Sequence, residues 1–259
     1  MNKNISSVLK AVTKPGRYAG GEYGQIIKDR KAVKARFAFC FPDTYEIGMS
    51  NLGMRILYGV LNEMDDVWCE RVYTPWVDMQ EKMKLHDIPL TACESGDPLD
   101  RFDMIGFTLQ YEMSYTNVLN MLKLAKLPLR SKDRDDSMPI IIGGGPCAYN
   151  AEPVADFFDL FNIGEGEEML PEIVRLYIKM KDEGTYTRAA FLHEAARTIQ
   201  GVYVPSLYTV TYNEDGTVKA YTPVYDDIPG TVTKRIVKDL DKTPFPDKVV
   251  MPYIDKRLM

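Results

Sequence analysis

Five short, largely apolar runs recur along the chain, and each gives way to a segment whose apolar residues fall at helical spacing. RFAFCF (36–41) stops at Pro42 and is followed by Leu52, Ile56, Leu57, Val60 and Leu61. VWCERVY (67–73) precedes WVDMQEKMKLH, and MIGFTL (104–109) precedes a helix around Val118 to Leu124. PIIIGGG (139–145) precedes AEPVADFF, and FDLFNIG (158–164) precedes EEMLPEIVRLYIKMK. A strand that is apolar on both sides of its pleat must be covered on both, and alternating helices supply that cover. The expected fold class is α/β, a doubly wound, flavodoxin-like parallel sheet of about five strands.

The flanks read differently. Residues 1–34 combine a helix-like stretch from Ile5 to Val12 with KPGRYAGGEYG, where five glycines and prolines between residues 15 and 24 break regular structure. This predicts an N-terminal arm laid over the domain of residues 35–183. Residues 184–259 begin with a helix from Tyr186 to Arg197. VYVPSLYTVTY and VKAYTPVY then follow, joined by Asn213-Glu214-Asp215-Gly216, which predicts a C-terminal β-hairpin. Pro229, Pro244, Pro246 and Pro252 lie among charges in the tail and suggest an extended connector.

Composition narrows the function classes. A hydrophobic content of 45%, a charged content of 27% and a mean hydropathy of -0.24 describe a soluble globular chain. The net charge of -5 argues against a whole-domain electrostatic grip on nucleic acid. No apolar run reaches the roughly 18 residues of a membrane span, and the start lacks the apolar core of a secretory signal, so the cytoplasm is expected. Cys40, Cys69, Cys93 and Cys147 form no CxxC or CxxxCxxC, so their spacing supplies no metal cluster. They read as buried free thiols, with an approach of Cys40 to Cys147 near two strand ends as the alternative. His86, at a helix end, and His193, inside a helical pattern, take structural or surface roles.

In an open parallel sheet ligands bind beyond the carboxyl ends of the strands, so the strand-end loops carry the candidates. These are Asp43, Tyr45 and Gly48 in PDTYEIGMSNLG, then Thr108, Gln110, Tyr111 and Glu112, then Gly143, Gly144 and Gly145, and lastly Glu165, Gly166 and Glu167. Each has a plainer structural reading. The glycines allow a sharp turn, the glutamates favour a helix start, Asp43 caps its loop, Tyr111 with Tyr115 joins the core, and Ser50 or Asn51 caps a helix.

Asp43-Thr44-Tyr45-Glu46-Ile47-Gly48 resembles the DxHxxG loop of cobalamin-binding domains, with Tyr45 where the cobalt-ligating histidine would stand. Thr108 falls where those domains carry a serine, and the glycine run at 143–145 where they carry a Gly-Gly turn. PDTYEIGMSNLGMRILY, GFTLQYEMSYTNVLNML and GGGPCAYNAEPVADFFD look like one uncharacterised group of radical S-adenosylmethionine proteins. The resemblance implies a cobalamin-binding-like front region of such a protein, joined by the hairpin and connector to a catalytic barrel. That barrel would supply the 4Fe-4S cluster and S-adenosylmethionine through a CxxxCxxC that this chain lacks. Tyr45 weighs against cobalamin, because a phenol is mostly protonated at neutral pH and ligates cobalt poorly.

The expected function is a noncatalytic module that recognises substrate or a partner beside the barrel's active site, the chain itself being a fragment, a split gene product or a cut piece. By fold-level analogy, RNA or a ribosomal protein is a candidate substrate. The competing readings are a free-standing cobalamin or nucleotide carrier and an autonomous hydrolase or transferase using the GEGEE carboxylates. No GxSxG or HExxH accompanies those carboxylates.

Overall fold

The apolar runs form the strands that their pattern predicts. The structure is a computed structural model and describes residues 8–239 together with Asp241, Thr243, Phe245 and Val250. Strands β1 (Ala35–Phe41), β2 (Val67–Tyr73), β3 (Met104–Thr108), β4 (Ile140–Gly144) and β5 (Leu160–Asn162) lie parallel in the order 2-1-3-4-5. A sixth strand, β6 (Val202–Tyr203), pairs antiparallel with β5.

That sixth strand corrects the expected hairpin. VYVPSLYTVTY is not one arm, because its first residues join the main sheet as β6. Pro205, which has no N–H for a ladder, starts a 3-10 turn through Leu207. The hairpin proper is β7 (Tyr208–Tyr212) with β8 (Val218–Pro223). The segment expected as a helix in AEPVADFF is a 3-10 turn, Glu152–Phe157, and the arm's helix-like stretch is a turn at Leu9–Ala11. Residues 5–7 of that stretch and Pro244, Pro246 and Pro252 of the connector lie outside the described residues.

Helices α1 (Tyr45–Ser50), α2 (Leu52–Asn62), α3 (Val77–Leu85), α4 (Tyr115–Leu124), α5 (Gly166–Asp182) and α6 (Arg188–Thr198) cover the sheet. Alternation along β1 divides the core in two. Phe37, Phe39 and Phe41 pack with Met54, Tyr58 and Leu61 of α2, Met169 and Ile173 of α5, and Phe191 of α6. Ala38 and Cys40 face the other way, with Ile105, Phe107 and Ile141, onto Met79 and Met83 of α3 and Val118 and Met121 of α4. Helix α6 and strand β6 therefore share the main core. Among the described residues no helix is long and apolar enough to cross a membrane.

Edge strand β2 is closed by chain that follows α3. The Cys93 N–H donates to the Arg71 carbonyl at 2.8 Å, the Arg71 N–H to Glu94 at 2.7 Å, and the Ser95 N–H to Glu70 at 2.9 Å. An edge paired in this way offers no ladder to another chain. The arm crosses the same region. Its Thr13 binds Asp78, its Ile26 N–H donates to the Tyr58 hydroxyl at 2.8 Å, and Lys28 caps α2 through the carbonyls of Asn62, Met64 and Val67.

Arg71 joins arm and edge. Its side chain is 3% exposed and lies between Glu22 of the arm and Glu94 of the edge loop, whose side chains are 5% and 0% exposed. Removing the guanidinium would strand two buried carboxylates. Arg71→Leu is expected to cost about 3–5 kcal/mol of unfolding free energy in a denaturant titration. Adding Glu22→Gln and Glu94→Gln should restore most of that loss, which a simple packing defect would not allow.

Candidate functional site

Strand order reverses between β1 and β3, so the crevice of this fold lies beyond the carboxyl ends of those two strands. Asp43 follows β1 and Tyr111 follows β3. The Tyr111 hydroxyl donates to one Asp43 oxygen while the Thr44 N–H donates to the other at 2.6 Å, and the crevice is thereby bridged. Tyr111 is 40% exposed. Its phenol is held above its ordinary pKa by the hydrogen bond to Asp43 first, then by burial and the carboxylate charge. Beside this bridge the Gln110 amide donates to the Thr108 hydroxyl, and Glu112 is exposed.

The glycine run closes the crevice on the β4 side through three different roles. Gly143 faces the opposite core, where an added methyl would sit 2.6 Å from the Phe161 ring. Gly144 lies at the strand end beside Asn162, and its carbonyl accepts from the Leu109 N–H at 2.6 Å. Gly145 has φ of 91°, and a methyl there would meet the Leu109 backbone at 3.0 Å, so only glycine makes this turn without strain. Asn162 ends β5 with 5% exposure, and its Oδ1 is buried without a hydrogen-bond partner.

Tyr45 does not line this crevice. It is 5% exposed, its hydroxyl donates to Glu22, and its ring stands edge-on to Tyr73 with centroids 5.3 Å apart. Burial, then Glu22, drives its pKa far above the ordinary phenol value. Gly48 lies under the same Tyr73 ring, which a methyl would meet at 2.4 Å. The position that would carry a cobalt ligand is thus turned into the Glu22–Arg71 cluster, and these residues do not fit cobalamin held through a side chain at position 45.

Two of the three GEGEE carboxylates, Glu165 and Glu168, are engaged by the chain itself. The connector adds to the end of β5, with the Arg235 N–H donating to the Ile163 carbonyl at 2.9 Å and the Glu165 N–H to the Arg235 carbonyl at 3.1 Å. The Val237 N–H donates to the Glu165 side chain, and the Arg235 side chain pairs with Glu168 at 3.0 Å and with Glu172. Gly164, at φ of 117°, lets the two backbones meet, since a methyl there would sit 2.2 Å from the Arg235 carbonyl. Gly166 opens α5 against Leu57, and Glu167 lies in the first turn.

Of the residues that the sequence singles out, Asp43, Thr108, Gln110, Tyr111, Glu112 and Gly144 lie at one end of the sheet, and Asn162 and the Glu22–Tyr45 contact are additions that the structure makes. Asn162 had a signal, a lone polar residue ending the apolar run FDLFN. Asn51 caps α2, its side chain accepting from the Met54 N–H at 2.8 Å. His86 caps the end of α3, and His193 lies 3.2 Å from Asp227 on the surface of α6. All four cysteines are free. Cys40 is buried, which pushes its thiol pKa up, and Cys147 is partly buried against the core cluster that contains Cys40. Among the described residues no group of three His, Cys, Asp or Glu side chains could hold a metal ion.

The Asp43–Tyr111 bridge is testable by titration. In Asp43→Asn the Tyr111 phenol should fall back toward its ordinary pKa of about 10, read by ultraviolet difference spectra against Tyr111→Phe. An unchanged phenol would show that the bridge is not formed in solution.

Residues 53–205 match the family described as Radical SAM proteins, N-terminal. An uncharacterized protein of Methanocaldococcus jannaschii is 27% identical over 154 residues, which cover 58% of this chain and 28% of that protein. Among solved structures, the cobalamin-dependent S-adenosylmethionine radical enzyme OxsB, with aqua-cobalamin and S-adenosylmethionine bound, aligns with 75% of this chain and 24% of its own at 14% identity and a TM-score of 0.39. The chain thus spans about a quarter of the length of each. The family match covers more than half of the chain, which belongs to the N-terminal family of radical SAM proteins.

Proposed function

We propose that this chain is a noncatalytic recognition module that presents its strand-end crevice to the radical S-adenosylmethionine domain and to that domain's substrate. The observation that carries this reading is the position of the connector. Arg235 forms a parallel bridge with Gly164 just past β5, so the connector lies at the carboxyl ends of the strands, the end at which the crevice opens. The crevice offers binding groups, Asp43, Gln110, Tyr111 and Glu112, and no evident nucleophile paired with a base.

In this reading the 4Fe-4S cluster and S-adenosylmethionine belong to the radical domain, whose CxxxCxxC would hold them. Position 45 supplies no cobalt ligand in it, because Tyr45 is committed to Glu22 and is buried. Asp43 and Tyr111 act as a preset pair, one oxygen and one hydroxyl fixed across the crevice, and a substrate group entering between the loops would meet them already oriented.

Photocrosslinking in the polypeptide that carries both domains tests the arrangement. A crosslinker at Met113 or Tyr149, exposed near the carboxyl ends, should capture the radical domain, whereas one at Asp87, beyond the far end of α3, should not. Capture from Asp87 alone would refute it. A cobalamin spectrum that shifts on adding the protein and survives gel filtration would favour the carrier reading instead.

A further inference from the structure

The loops at the carboxyl ends of the parallel strands, residues 42–51, 74–76, 109–114, 145–151 and 163–165, contain no lysine or arginine. They do contain Asp43, Glu46, Glu112 and Glu165. Two of these are answered from elsewhere in the chain, Glu46 by Lys14 and Arg17 of the arm and Glu165 by the connector's Val237 N–H. Among the described residues the Asp43 carboxylate meets only the Thr44 N–H and the Tyr111 hydroxyl. Glu112 is exposed near Tyr115 and Cys147, with no cation paired to it among the described residues.

A second feature also asks for a donor. Asn162 is 5% exposed, ends β5 beside Gly144, and keeps a buried Oδ1 with no partner. A buried acceptor left without a donor is costly, and a ligand that brings one gains by it. Around these acceptors Ile47, Leu52, Met113 and Tyr149 are 49%, 52%, 85% and 60% exposed.

The protein already displays one occupant of such loops. The connector is an extended segment bearing Lys234, Arg235 and Lys238, and it binds the β5 end by main-chain pairing while Arg235 meets Glu168 and Glu172. We infer that the crevice at the ends of β1 and β3 takes an extended, lysine- or arginine-bearing peptide, an inference that rests on the recognition role proposed above. Its cationic side chains meet Asp43 and Glu112, an N–H or amine reaches Asn162, and apolar neighbours lie on Ile47, Met113 and Tyr149. An RNA strand would bring phosphates against Asp43 and Glu112, while the cations at this end, Lys14, Arg17 and Arg235, are already paired with carboxylates.

Fluorescence anisotropy on the purified chain tests this with three labelled probes, an octapeptide of alternating lysine and leucine, its glutamate counterpart, and an eight-nucleotide RNA. The lysine peptide should bind, weaken with salt, and lose about tenfold in affinity with Asp43→Asn/Glu112→Gln. Glu183→Gln/Glu214→Gln removes the same charge from exposed positions outside the crevice and should leave affinity nearly unchanged. Glu112→Gln alone, at an exposed site, guards against a folding defect and should carry part of the loss. Equal losses in the two double variants, no binding of the lysine peptide, or tighter binding of RNA would each overturn the inference. Failure here with crosslinking to the radical domain intact would leave the module's role standing, whereas failed crosslinking would remove the role itself.

Discussion

A guanidinium with 3% of its side chain exposed stays charged in a protein interior at a heavy cost unless counter-charge meets it, and Arg71 has it from two sides. Glu94 comes from the loop that closes the β2 edge and Glu22 from the arm, so one residue fixes two segments with little regular structure of their own. Burial of Glu94 favours its protonated form, and Arg71 opposes that shift. The arm's other fastenings, at Asp78, Glu46, Tyr58 and the end of α2, lie along a path that this buried charge has already set.

The same cluster explains why Tyr45 departs from the resemblance in the loop after β1. Once Glu22 is drawn inward by Arg71 its second oxygen is placed to accept from a hydroxyl, and a tyrosine at the start of α1 can supply one. A residue that would face a cofactor in a cobalamin-binding domain here closes the core beneath the arm. Gly48 is retained for packing, since the Tyr73 ring occupies the space a side chain would need.

The parallel sheet was legible because strands buried on both faces read as apolar runs, and the crevice followed from strand order. The rest was hidden for physical reasons. Strand β6 is two residues long, too short for any alternation to register. Glu22 and Tyr45 are separated by a glycine-rich stretch whose path depends on burial rather than local pattern. The GEGEE carboxylates look alike in sequence, where a helix start accounts for all of them, but their roles divide according to what reaches each. Glu165 takes a backbone N–H, Glu168 takes Arg235, and Glu167 remains in the first turn of α5. Three adjacent glycines likewise answer to a packed ring, a strand end and a left-handed turn.

Topology then places the connector. After five parallel strands, antiparallel β6 carries the chain back toward the amino ends, and the hairpin is built from there. A connector leaving at that end would point away from the crevice. Instead Arg235 returns to the end of β5 in a parallel bridge with Gly164, held by main-chain hydrogen bonds to Ile163 and Glu165 that only a glycine at 164 lets form. The carboxylates of α5 then hold Arg235 in place. Acidic loops and a cationic connector thus meet at one end of the sheet: two strands away from β3, Glu165, Glu168 and Glu172 secure the connector through its backbone and through Arg235.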